Sequence, residues 1–171
     1  MTRIYVGPTS LYALGQVGEL DLLKSFDGRL VVPEVVEAQV TTEPARSALE
    51  SFLDDTDVST AVPDAAHEQA VAVVGIDEGT HEAAMLAGVI AHADPNDRHA
   101  VAVVSEDRRV RRIAEGLGGA VTSSFGVVAR AAAEDKYLSR SQARRIVRRI
   151  DANGIQMTGE MRSQAVGAVG E

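Results

Sequence analysis

The chain has 171 residues and no cysteine, and its 25 acidic against 17 basic residues leave a formal net charge of −8. A chain of this length suits one domain with a sizeable core, and the absence of cysteine excludes disulfides and thiolate metal sites. There is no apolar run long enough to span a membrane and no basic-plus-apolar leader, so a soluble cytoplasmic protein without a membrane partner is expected.

Only Lys24 and Lys136 are lysines; the rest of the 17 basic residues are arginines. An acidic, lysine-poor chain with few aromatics points to a salt-loving source such as a halophilic archaeon, because high salt screens acidic surfaces. The charge is uneven. Residues 98–149 hold 12 basic and 5 acidic side chains, while the rest of the chain is strongly acidic. That asymmetry is a reason to look for an anionic partner.

In chain order, Arg3–Val6 reads as a strand and Gly7–Ser10 as its turn, with Thr9 or Ser10 capping a helix that begins at Leu11. Leu20–Phe26 gives one or two further helical turns, stopped by Asp27 and Gly28. Arg29–Val32 is a second strand, and Pro33 heads a helix to about Val40. Helices follow over Ala45–Leu53 and Ala65–Val74, with a possible strand at Val58–Val62 between them. Asp77 or Thr80 caps a helix from about Gly79 to Ala91.

Residues 100–104 form a short, Val-rich, uniformly apolar run, as expected of a strand covered on both faces. Ser105 is positioned to cap the helix after it, with Glu106 and Asp107 in a first turn where the helix dipole favours negative charge. Ala120–Thr122 is a short strand and Phe125–Glu134 a helix. Ser139 or Ser141 caps a helix to Ala152, and a last helix is expected over Thr158–Ala168. Strands alternating with helices imply parallel pairing through βαβ crossovers. The expectation is one domain over residues 1–171, an α/β fold of three α/β/α layers around a parallel sheet of four to five strands, with 139–170 as C-terminal helices.

Three strand ends carry polar turns: Gly7–Ser10, Pro33–Gln39 and Ser105–Asp107. In a parallel sheet these ends converge on one edge, and the helix over 79–91 can bring Glu82 to the same place. Carboxylates without histidine or cysteine suit a hard cation such as Mg²⁺ or Mn²⁺, which supports metal-assisted phosphodiester cleavage. The four histidines, His67, His81, His92 and His99, show no close ligand spacing.

The order of elements resembles the PIN domain, most of all its toxin-type (VapC-like) subgroup. The residues that carry the resemblance are Ile4–Leu23, Val31–Val40, Asp77–Ala87, Val103–Ala114 and Val121–Val128. The resemblance implies a Mg²⁺- or Mn²⁺-dependent endoribonuclease, the toxin of a toxin–antitoxin pair, acting on RNA, bound by a small antitoxin protein and able to pair as a homodimer. It also implies four acidic positions around the metal. Two fall on Glu82 and Asp107, with Ser105 in place of a threonine and Thr9 keeping a small hydroxyl near the first position. The other two read Gly7, where the family has aspartate, and Gln39, where it has glutamate. Glu37 and Glu106 lie nearby. The alternative is a catalytically degenerate PIN-like domain that binds RNA or a protein without cleaving.

The arginines complete the sequence-level site. Arg140, Arg144 and Arg148 recur every four residues with Arg145 and Arg149 beside them, a basic stripe on one helix. Together with Arg108 and Arg111 they are candidates for contact with the phosphate backbone. The competing expectation is that they pair with the protein's own acidic surface.

Overall fold

The computed structural model describes residues 2–134 and 138–153. Its strands are β1 (Thr2–Val6), β2 (Gly28–Val31), β3 (Val101–Val104) and β4 (Ala120–Thr122). Its helices are α1 (Pro8–Gln16), α2 (Glu34–Glu37), α3 (Ala45–Asp55), α4 (Asp64–Val74), α5 (His81–His92), α6 (Arg108–Gly116), α7 (Ser124–Ala133) and α8 (Arg140–Ala152), with a 3₁₀ segment at Leu20–Ser25. The expected last helix, Thr158–Ala168, lies outside the described residues.

The sheet has the order β2-β1-β3-β4 and every pair is parallel. In register, Ile4 lies beside Leu30 on one side and Ala102 on the other, and Ala102 lies beside Ala120. From the central pair β1–β3 the chain steps outward in opposite directions, to β2 and to β4. Right-handed crossovers therefore set α1 and α6 on opposite faces. Helices α3, α7 and α8 pack with α1 on one side, while α4 packs on α5 and α5 on α6 on the other. These are the three expected layers.

Apolar side chains dominate both faces of the two central strands, as the uninterrupted apolar run of β3 requires. Tyr5, Val6, Val101, Val103 and Val104 are buried, as are Leu11 and Leu14 from α1, Met85 and Leu86 from α5, and Phe125 from α7. Helix α5 crosses β1 at Gly88. A Cβ built there would stand 2.1 Å from the Tyr5 ring, so glycine is what allows this approach.

Several local expectations are corrected, and two left open between alternatives are decided. Helix α1 has Gly7 at its N-cap and Pro8 inside its first turn, with no side-chain cap from Thr9 or Ser10. Proline suits that place because its missing N–H would find no helical partner there. Helix α2 closes after one turn, at Glu37, short of Val40. The possible strand at 58–62 reduces to one bridge, in which Ser59 pairs with Val31. Thr80, not Asp77, caps α5 by accepting from the Ala83 N–H. Asp107, not Ser105, caps α6. Ser139, not Ser141, caps α8 in a reciprocal capping box with Gln142.

Candidate functional site at the C-terminal end of the sheet

The carboxyl ends of the parallel strands deliver Gly7, Pro33 and Ser105 to one edge, and each of the four acidic positions can be followed there. Gly7 continues β1 and donates its N–H to Val104 O at 2.8 Å. It offers no ligand. A Cβ at this position would lie 3.4 Å from the Met85 thioether, an ordinary contact distance, so a side chain here would pack beside that methionine. Thr9 is exposed and Ser10 fully buried.

Gln39 lies just past α2. Its amide faces His81 Nδ1 at 3.0 Å. An amide NH₂ can only donate, so the imidazole proton belongs on Nε2. That nitrogen faces Glu82 Oε1 at 3.2 Å. The second and third acidic positions are thus joined through a histidine that sequence spacing did not single out. The link spans residues 39 to 82, which is why no local pattern announces it.

Glu82 and Asp107 come to one cleft. Both line a cleft of about 220 Å³, together with Asp77, Thr80 and Arg109. Asp107 is already engaged: its Oδ1 accepts from the Arg109 N–H at 2.8 Å and the Val110 N–H at 3.2 Å. Ser105 serves the same turn, its Oγ accepting from the Asp107 N–H at 3.0 Å.

Glu106 points elsewhere. Its Oε1 accepts from the Ser124 N–H, the first of α7, at 2.7 Å, and from Ser10 Oγ in α1 at 3.1 Å. Its Oε2 and the Ser124 hydroxyl are buried without a hydrogen-bond partner among the described residues. The Arg111 guanidinium closes this corner by donating to Ser105 O at 2.5 Å. Burial lowers the Arg111 pKa from its ordinary value, and the charges of Glu106 and Asp107 oppose that shift.

The remaining arginines are arranged differently. Arg140, Arg144, Arg145, Arg148 and Arg149 of α8 are all exposed, as are Arg108, Arg109 and Arg112 of α6. None of these eight forms an ion pair among the described residues, whereas Arg29, Arg46, Arg98 and Arg130 each do. Among the described residues the α8 stripe therefore shows no direct ion pair with the protein's own acidic surface, although the Arg149 charge acts on Glu19. A cavity of about 740 Å³ between the sheet and α7 has none of the four acidic positions in its lining.

A family model described as a PIN domain matches residues 6–171. The chain belongs to the PIN domain family. Nothing among curated proteins or solved structures matches it significantly. PIN domains as a family carry nuclease-type activity, generally depend on divalent metal and act on RNA. In this PIN domain the described residues form no group of three acidic or histidine side chains able to hold a metal, Glu37 included. Divalent affinity rests on ligand charge and number. Gly7 has neither, Gln39 is neutral and faces His81, and Asp107 spends one carboxylate oxygen, Oδ1, on its helix. These residues do not fit the four-acid metal centre. Among the described residues, no helix is long and apolar enough to cross a membrane.

Proposed function

We propose that this PIN domain binds RNA through its exposed arginines and does so without metal-dependent cleavage. The observation that carries the reading is that Arg140, Arg144 and Arg148 on α8, with Arg108 on α6, are exposed and form no ion pair among the described residues, in a chain of net charge −8. With acidic groups in excess, pairing within the molecule would be the default for a surface arginine. Guanidinium forks left free along one helix match the oxygen pairs of successive phosphates. Arg111, turned inward to Ser105 O, serves the sheet end rather than the phosphate-contacting surface.

The test is fluorescence anisotropy of a labelled single-stranded RNA across a KCl series. Binding that weakens with salt, and that Arg144→Ala with Arg148→Ala weakens strongly, supports the reading. Unchanged affinity in the double variant sinks it. A small acidic antitoxin would use the same surface, and a pull-down with the product of the neighbouring reading frame distinguishes the two.

A second reading, Mg²⁺- or Mn²⁺-dependent cleavage of RNA by a toxin-type nuclease, is favoured by one observation: Glu82 and Asp107 share a cleft with Arg109. Here Glu82 and Asp107 would hold the ion, and Ser105 and Thr9 would assist. Incubating the same RNA with either metal tests it. Cleavage that Glu82→Gln abolishes would establish this second reading in place of the first.

A further inference from the structure

The geometry points to Glu106 as a built-in anion that ties the N-termini of α1 and α7 to the end of β3, so that this sheet end is held together by a carboxylate and not by a divalent ion. The inference stands apart from RNA binding. It concerns what replaces the family's metal centre in this chain.

The sheet end is short of acceptors and of negative charge in a particular way. Three elements arrive there, two of them with donors to place. Helix α7 presents its first N–H, from Ser124, and α1 presents Ser10 in its first turn. The strand β3 ends on Val104, with the Ser105 carbonyl taken by Arg111. The first N–H groups of a helix have no partner within it and carry its positive end. Two such ends and a guanidinium therefore make the corner positive before Glu106 is counted. A cation entering it would meet repulsion, whereas a carboxylate meets donors.

Glu106 supplies that carboxylate from the residue between Ser105 and the α6 cap. One oxygen accepts from both helices, at 2.7 Å and 3.1 Å. The other is buried with no direct partner among the described residues. The bonds span 18 and 96 residues of sequence, which is the reach a metal has when it gathers ligands from distant elements. The other acids are elsewhere: Glu82 is paired with His81, and Asp107 caps α6. Gly7, on the α1 side, adds no charge.

The test uses the full chain and reads the melting temperature in millimolar MgCl₂ or MnCl₂ against KCl of equal ionic strength. The wild-type protein is expected to show no divalent-specific shift. Glu106→Gln keeps the shape and one acceptor but loses the charge, and is expected to lower the Tm by about 3 °C or more. Ser10→Ala removes one donor and is expected to lower it by about 2 °C. It stays readable if the Gln variant does not fold. A divalent-specific rise in the wild-type Tm that Glu106→Gln abolishes would overturn the inference in favour of a metal at this carboxylate. So would a Tm unchanged by both substitutions. RNA affinity is not read here, so either proposal can fail alone.

Discussion

Glu106 and Asp107 are neighbours in the chain, yet their carboxylates serve opposite sides of the sheet end. Glu106 reaches the α7 side at Ser124, and Asp107 turns to the first N–H groups of α6. The backbone at Asp107 is extended, and extended backbone sends successive side chains to opposite faces. Asp107 is therefore first of all a helix cap. Asp107→Ala should cost about 1 kcal/mol in urea unfolding, while Asp107→Asn, an equally good cap, should cost almost nothing. If Asn is as damaging as Ala, the charge of Asp107 has a duty beyond capping.

This pair also shows how far the sequence can be read. The valine run of β3 announces a buried parallel strand because no polar residue interrupts it, and the family order follows from such runs and their turns. Ser105, Glu106 and Asp107 are another matter. All three can accept a hydrogen bond at a helix start, and choosing between them needs the backbone path. The pairing of Gln39 with His81 and of Glu106 with Ser10 depends on tertiary closure and leaves no periodic trace. The α8 stripe was legible as a pattern. That it forms no ion pair among the described residues is a property of where the fold sends the acidic residues.

Phosphate contacts have a measurable signature in salt. For single strands, each contact contributes about 0.7 to the slope of log K against log salt. Removing Arg144 and Arg148 together should flatten that slope by about 1.4 and weaken RNAs of different sequence alike, because phosphate contacts do not read bases. A loss confined to one sequence would point to base recognition instead. Replacing Arg46, which is already paired with Glu50, should leave the slope unchanged.

The crossing of α5 over β1 has no slack. At Gly88 an added methyl would penetrate the Tyr5 ring, whose atoms lie 2.1–2.5 Å from the position it would take. Gly88→Ala should lower stability by about 3 kcal/mol or more, since overpacking on this scale moves backbone as well as side chains. Tyr5→Leu frees the space beside residue 88. In that background the same Gly88→Ala change should cost markedly less, and the double-mutant cycle in denaturant measures the difference. Equal costs in both backgrounds would show that the contact does not set the helix position.

Two titratable groups outside the sheet end give the stability a dependence on pH. Burial lowers the His92 pKa, with Arg3 adding to the effect. A histidine depressed in the folded state is protonated more readily when unfolded. Its contribution is therefore present above the ordinary histidine value of about 6.5 and lost as pH falls below it. Glu19 is shifted the other way. Burial raises its pKa, while Arg149 lowers it and Asp21 raises it further. Its contribution is full below the ordinary carboxylate range and is lost as pH rises through the raised value. At neutral pH a charged Glu19 is thus unfavourable, and Glu19→Gln should melt at or above the wild-type temperature. His92→Gln should shrink the fall in Tm between neutral and mildly acidic buffer. Melting curves of both variants across that range check the two signs.

Restoring the missing acids is the strictest test of what Gly7 and Gln39 have removed. Gly7 has φ −82° and ψ 163°, an extended conformation open to any residue, and a Cβ there meets Met85 at ordinary contact distance. Aspartate at this position can also cap α1, where glycine gives no side-chain bond. Gln39→Glu exchanges an amide for a carboxylate of the same length beside His81. Gly7→Asp with Gln39→Glu therefore adds two charged ligands to the edge that already carries Glu82 and Asp107. The double variant should gain a Mn²⁺-dependent rise in Tm that the wild-type protein lacks. The linkage relation makes that gain about 2.7 kcal/mol when the ion is a hundredfold above its Kd. Each single variant should gain little, because affinity grows with the number of carboxylates brought to one ion. If the double variant ignores Mn²⁺, the side chains at 7 and 39 do not converge with Glu82 and Asp107, and the edge has lost the geometry of a metal centre as well as its charge.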